Sequence, residues 1–153
     1  MKARATIGLL ALALLLPRAA SAVMSCTILS VPALAFGNYN VFSGAPLDTS
    51  TAIAFHCDAV GGATIVIELS RGSSLTFLPR TLKFGAFVLE YNVYRDASHT
   101  SVWGDGSSGT SSLGPLQPLN DLDDSRSVFG RIEPGQNAHA GSYTDTLIVT
   151  VIF

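Results

Sequence analysis

The chain has 153 residues, of which 13% are charged, and a formal net charge of −2 at pH 7. No basic stripe or cluster interrupts this weakly acidic composition, so the sequence gives no electrostatic case for a nucleic-acid partner. Without its N-terminal targeting segment the chain is about 130 residues long, which is the size of one domain with its own core.

The first 22 residues predict a secretory signal peptide. Lys2 and Arg4 precede an apolar run over residues 7–16, which is too short to span a bilayer, and residues 20–22 form an Ala-Ser-Ala cleavage site. We therefore expect an exported protein whose mature domain covers residues 23–153. No later segment is long and apolar enough to act as a membrane anchor.

The mature chain alternates short apolar segments with turn residues, which is typical of a β-sandwich. No stretch of useful length shows the 3.6-residue period of a helix. Residues 110–124 are rich in Gly, Pro, Ser and Asp, and we predict them to be mostly loop. The predicted strands cover residues 26–31, 51–57, 64–69, 88–94, 127–132 and 143–153.

The last stretch, from Tyr143 to Phe153, predicts one long strand. Its Thr, Val, Ile and aromatic residues favour strand structure, and the sequence contains no Pro or Gly after Gly141. One face is apolar and the other is mixed. We expect this strand to keep an open edge, which another chain could pair with. The apolar face consists of Tyr143, Leu147, Val149, Val151 and Phe153.

Two cysteines, Cys26 and Cys57, follow the predicted cleavage site. In an exported protein such a pair most simply forms one disulfide, and free thiols or intermolecular bridges are the alternatives. Closing a loop of about 30 residues would stabilise the fold by on the order of 3–4 kcal/mol in the chain-entropy model.

The residues that could carry catalysis or bind a metal form no recognisable site. The three histidines have no zinc-like spacing and are predicted at the surface, and no nucleophile elbow surrounds any serine. Residues 121–124 resemble half of a calcium loop without its Gly and Glu, so we interpret them as an acidic loop. Trp103 is either an exposed sugar platform or, as we favour, a cap on the core. We predict no enzyme, no cofactor and no metal site.

Three blocks lie in the same order as in a known family and span nearly all of the mature chain. They resemble the spore coat protein U domain, which is shared with the subunits of archaic chaperone–usher pili. Each block alone is weak, whereas the ordered set is specific. The blocks are residues 36–39 leading to 53–57, residues 89–96 leading to 102–106, and residues 128–132 with 141–145 and the closing strand.

The resemblance implies an all-β, incomplete immunoglobulin-like sandwich that a donor strand completes. The expected partners are a periplasmic pilus chaperone, an outer-membrane usher and other pilin subunits, and the expected location is a surface pilus or an extracellular coat, reached through the periplasm. The family's disulfide falls on Cys26 and Cys57. The edge that would receive the donor strand falls on Leu147, Val149, Val151 and Phe153.

Only three residues lie between the predicted cleavage site and Cys26, and they span about 10 Å when extended. We therefore expect a subunit that can accept a donor strand but cannot give one, at a fibre tip or as a terminator. Two alternatives remain open: a free-standing coat protein of a spore, cyst or cell surface, and a tip adhesin that binds carbohydrate through Trp103 and residues 104–124.

Overall fold

The computed structural model describes residues 24–58 and 61–153, and these residues form the all-β fold that the alternating pattern predicts. Among the described residues there is no helix that could cross a membrane. The predicted signal peptide lies outside them. The eight strands are β1 (Ser25–Ser30), β2 (Leu47–Asp58), β3 (Ile65–Leu69), β4 (Arg80–Phe84), β5 (Phe87–Tyr94), β6 (Leu113–Leu116), β7 (Leu122–Ile132) and β8 (Val149–Ile152).

The strands form two sheets in which every ladder is antiparallel. The larger sheet has the order β1-β2-β7-β5-β4, and the smaller one has the order β6-β3-β8. The last residues of the chain connect the two sheets, because Thr144 forms an isolated bridge with Lys83 of β4 while β8 pairs with β3. We call residues 143–153 the terminal segment.

The region from residue 110 to 126 contains more strand than its composition predicts. β6 occupies residues 113–116, and β7 begins at Leu122 rather than at Ser127. The predicted acidic loop therefore lies partly within β7, where Asp123 pairs with His56 and Asp124 pairs with Phe55 of β2. The twelve-residue strand β2 supplies a partner along the whole of β7, so the ladder overrides the local loop composition.

The terminal segment is the second correction. It was predicted as one strand from Tyr143 to Phe153, but only Val149–Ile152 is continuous strand. The reason lies in its partner, since β3 ends at Leu69 and β4 begins only at Arg80. The loop between them, residues 70–79, interrupts the ladder that would otherwise accompany the segment along its whole length.

The core lies between the two sheets and is built from alternate residues of the longer strands. Trp103 belongs to it, with only 1% of its surface exposed, and its indole Nε1 donates a hydrogen bond of 3.1 Å to the carbonyl oxygen of Ile67. The prediction of Trp103 as an exposed sugar platform is therefore wrong, and its predicted position against the core is confirmed. Other buried residues include Ile53, Phe55, Cys57, Ile65, Ile67, Leu69, Leu89, Tyr91, Val93, Val128 and Ile132.

The histidine side chains differ in their exposure to solvent, although the sequence predicts all three at the surface. His99 was expected in solvent, but its side chain is 8% exposed and meets the rings of Tyr94 and Phe129 edge-on. His139 stacks on Phe87 with 3.8 Å between the ring centroids. Loop position alone therefore did not decide burial, because aromatic neighbours cover the imidazole of His99.

Candidate functional site: an open strand edge

The candidate site is the outer side of the terminal segment, which has strands on one side only. The backbone N–H of Ser70 donates to the carbonyl oxygen of Ile148 at 2.9 Å, and in β8 Thr150 lies opposite Glu68. In an antiparallel ladder the hydrogen-bonded pairs recur at every second residue. Ile148, Thr150 and Ile152 therefore direct their backbone polar groups toward β3 and Ser70, the residue that follows it.

The odd-numbered residues consequently direct their backbone polar groups the other way. Leu147, Val149 and Val151 present N–H and C=O groups on a side where the described residues place no strand. Their side chains point inward, are half-buried and pack against the core. We call this side of the segment the open edge.

The predicted edge residues do not all occupy it. Leu147, Val149 and Val151 lie on the open edge, whereas Phe153 follows the end of β8 and is 56% exposed. Ile148, on the mixed face of the segment, is 64% exposed. The inward and outward faces alternate as the sequence predicts, but the apolar face does not extend to the last residue.

β1 is a second strand with a free side. It is one of the two end strands of the larger sheet, and among the described residues it pairs with β2 alone. The disulfide between Cys26 and Cys57 ties it to β2 and is present as predicted. Ile28 and Leu29 of β1 are exposed, whereas Cys26 is half-buried against the core. The two sheets thus each end in a strand with one free side.

Asp145 anchors the terminal segment to the body of the domain. Its Oδ2 accepts a hydrogen bond of 2.7 Å from the hydroxyl of Tyr91, and its Oδ1 accepts one of 2.9 Å from the backbone N–H of Ser73. Partial burial opposes ionisation, but these hydrogen bonds hold the pKa of Asp145 below its usual value. Burial, together with the bond to Asp145, raises the pKa of Tyr91.

Gly72 makes this anchor possible because it brings the 70–79 loop against the carboxylate. A Cβ at this position would clash with the carboxylate of Asp145, and the backbone φ is +66°. Both the close approach and the left-handed conformation require glycine. Sequence reasoning missed the anchor, since Tyr91 and Asp145 are 54 positions apart and neither belongs to a motif.

A second polar cluster lies on the outer face of β2 and β7. His56 Nδ1 is 2.7 Å from a carboxylate oxygen of Asp123, and its Nε2 is 3.2 Å from one of Asp58. Hydrogen bonds to Asp123 and then to Asp58 raise the pKa of His56. Within residues 24–58 and 61–153 no group of three His, Cys, Asp or Glu side chains is arranged to hold a metal ion.

Comparisons with known proteins agree with this architecture. A family model described as the Spore Coat Protein U domain matches residues 12–150. One chain in the crystal structure of the CsuC–CsuE chaperone–tip adhesion subunit pre-assembly complex, from archaic chaperone–usher Csu pili of Acinetobacter baumannii, is similar, with a TM-score of 0.55 and 20% identity. The similarity covers 86% of this chain and 40% of that chain. No curated protein matches the chain.

The structural similarity bears on the fold. It supports the predicted immunoglobulin-like sandwich, in which β1 and β8 each have a free side within the described residues. The disulfide, the all-β class and the resemblance drawn from the three sequence blocks are confirmed.

Proposed function

Because the chain belongs to the Spore Coat Protein U domain family, we propose that it is a structural subunit of an archaic chaperone–usher pilus and accepts a donor strand along its open edge. The observation that carries the proposal is the alternation at Leu147, Val149 and Val151. Their apolar side chains point into the core while their backbone polar groups point outward. A strand added there would gain main-chain hydrogen bonds and apolar contacts together.

An open edge of this kind is a liability in a protein that works alone. Unpaired N–H and C=O groups beside apolar side chains template pairing with other chains and cause aggregation. Natural proteins usually protect such edges with charges, prolines or bulges. The terminal segment carries no charged residue after Asp145 and no proline. The lack of these protective residues favours an edge that pairs with a strand of another chain.

The proposed partners are those that membership of the family implies. A periplasmic chaperone would cover the open edge during transit, an outer-membrane usher would receive the complex, and a neighbouring pilin subunit would supply the strand in the fibre. The structural similarity to a chain of a chaperone–tip adhesion subunit complex supports this assignment. Export through the periplasm to the cell surface is part of the proposal, and a position at the fibre tip stays a prediction.

The experiment that tests the proposal supplies the missing strand within the same chain. A tight turn and a strand of alternating Val and Thr are added after Phe153, so that the extension can fold back antiparallel to β8 with its valines inward. Several newly buried valines, each contributing about 1.5–3 kcal/mol, should raise the melting temperature by about 10 °C or more.

The matched control carries the same extension with each valine replaced by aspartate, and its melting temperature should equal that of the unextended protein. If the valine extension leaves the melting temperature unchanged and the unextended protein is a stable monomer, the sandwich is complete without a donor. The free-standing coat protein would then be the better assignment.

A further inference from the structure

Arg80 ties together the starting points of two surface loops. This residue is completely buried. Its Nε and Nη2 donate to the carbonyl oxygen of Ser70 at 3.0 and 2.9 Å, and Nη2 also donates to the carbonyl oxygen of Trp103 at 2.7 Å. Ser70 begins the loop of residues 70–79, and Trp103 directly precedes the loop of residues 104–109.

Nη1 and one face of the guanidinium group also have partners. Nη1 donates to Oδ1 of Asn92 at 2.8 Å, and the group lies 5.1 Å from the centre of the Phe77 ring. Burial lowers the pKa of Arg80 to about 10, so the group remains charged at neutral pH. A buried charge with several directed hydrogen bonds holds its acceptors in a fixed geometry. The two loops therefore leave the core at fixed positions.

Each loop is also ordered internally. In the first, Nη1 of Arg71 donates to the carbonyl oxygen of Leu75 at 2.9 Å. In the second, the backbone N–H of Ser107 donates to Oδ1 of Asp105 at 2.8 Å, and the backbone N–H of Thr110 donates to the carbonyl oxygen of Ser107 at 2.9 Å. Such local bonds between side chains and the backbone are typical of turns with a defined conformation.

Between the two loops lies a cavity of about 550 Å³. This volume is within the range of small-molecule sites. Its lining combines a guanidinium group and a carboxylate with serine hydroxyls and two leucine side chains, and Leu75 is 91% exposed at the rim. The residues that line the cavity include Arg71, Leu75, Leu78, Asp105, Ser107 and Ser108.

We propose that this cavity between the 70–79 and 104–109 loops binds a neutral saccharide unit. The charges of Arg71 and Asp105 offset each other, so the cavity does not favour either a cation or an anion. Arg71 offers donors, Asp105 offers acceptors, and the serines offer both, which matches the mixed donors and acceptors of sugar hydroxyls. Leu75 and Leu78 provide an apolar surface for the C–H face of the ring.

This assignment is separate from the proposed strand exchange. The cavity-lining residues belong to the two loops, whereas the open edge belongs to the terminal segment. Trp103, the residue that the sequence offered as a sugar platform, instead holds the base of the second loop through its carbonyl oxygen.

The test is saturation-transfer difference NMR on the purified mature protein with glucose, galactose, mannose, N-acetylglucosamine and N-acetylgalactosamine, each at about 10 mM, a concentration suited to weak single-sugar binding. We expect at least one sugar to give a saturable signal. Asp105→Asn and Arg71→Ala should each weaken it by about tenfold, the effect of losing one good hydrogen-bonding group.

Asp123→Asn is the matched control, because Asp123 is an exposed carboxylate on β7 rather than in either loop. It should leave sugar binding unchanged, and the near-ultraviolet circular dichroism of all variants should match the parent. The proposal is wrong if no sugar of the panel gives a signal, or if the signal persists in both loop variants. Neither result would affect the strand-exchange assignment, which the melting experiment tests separately.

Discussion

Arg80 is the residue on which the interior depends most. Its side chain satisfies the carbonyl oxygens of Ser70 and Trp103 and the amide of Asn92 in a region without solvent access. A lysine offers one compact ammonium group instead of a planar fork and cannot reach all three acceptors at once. The charge of Arg80 alone therefore does not explain why an arginine occupies this position. The planar geometry of the guanidinium group explains it.

We predict that both Arg80→Lys and Arg80→Leu destabilise the protein by about 3 kcal/mol or more, because each leaves buried acceptors without a donor. Urea unfolding measures the effect. Arg126→Lys is the control, since the Arg126 side chain is 40% exposed, and it should change the free energy of unfolding by less than about 0.5 kcal/mol. Equal stability of Arg80→Lys and the parent would contradict the role of the fork.

The anchor between Tyr91 and Asp145 gives a prediction for pH. The pKa of Asp145 is lowered in the folded state, so its contribution to stability is present above the unfolded pKa, near 3.8, and is lost as the pH falls through the folded value. Asp145→Asn should therefore flatten the acid limb of the stability curve. Chemical denaturation between neutral and acidic pH tests this, and an unchanged acid limb would exclude the anchor.

At neutral pH the same anchor predicts that Tyr91→Phe costs about 1.5–3 kcal/mol, the usual range for a hydrogen bond to a charged group. The loss should be smaller in an Asp145→Asn background, because the bond partner is already altered there. A double-mutant cycle in urea measures this coupling. Additive effects of the two substitutions would show that the hydroxyl and the carboxylate do not interact.

At the level of the elements, the two-residue period in the sequence correctly predicted β2 and β3. Ile53, Phe55 and Cys57 of β2 point inward as their alternation indicates, and so do Ile65, Ile67 and Leu69 of β3. The family blocks and the disulfide were also readable, because they depend on residue types at fixed positions.

The remaining features depend on partners that are distant in the sequence. The first half of β7 looks like a loop until β2 is placed beside it, and the interruption of the terminal strand reflects the loop between β3 and β4. Arg80 occupies a position that a charged residue normally avoids, so alternation alone could not place it in the core. The sequence predicted that the terminal segment has an open edge. Which residues lie on that edge becomes clear only from the pairing of β8 with β3.

The whole molecule has a buried core between its two sheets and an open edge along the terminal segment. The core packs the two sheets against each other, the disulfide ties β1 to β2 within the larger sheet, and Arg80 holds the starts of two loops. Among the described residues, β1 and β8 each keep a free side. The proposed donor strand would add stability to a domain that already presents a preformed edge.

Amide hydrogen exchange along the terminal segment shows whether its outer side is unpaired. In the unextended protein the N–H groups of Thr150 and Ile152 should be protected by β3, whereas those of Val149 and Val151 should exchange rapidly from the open edge. In the protein with the valine extension, all four should be protected. Uniform protection of these residues without the extension would mean that the edge is already paired, and it would contradict the account.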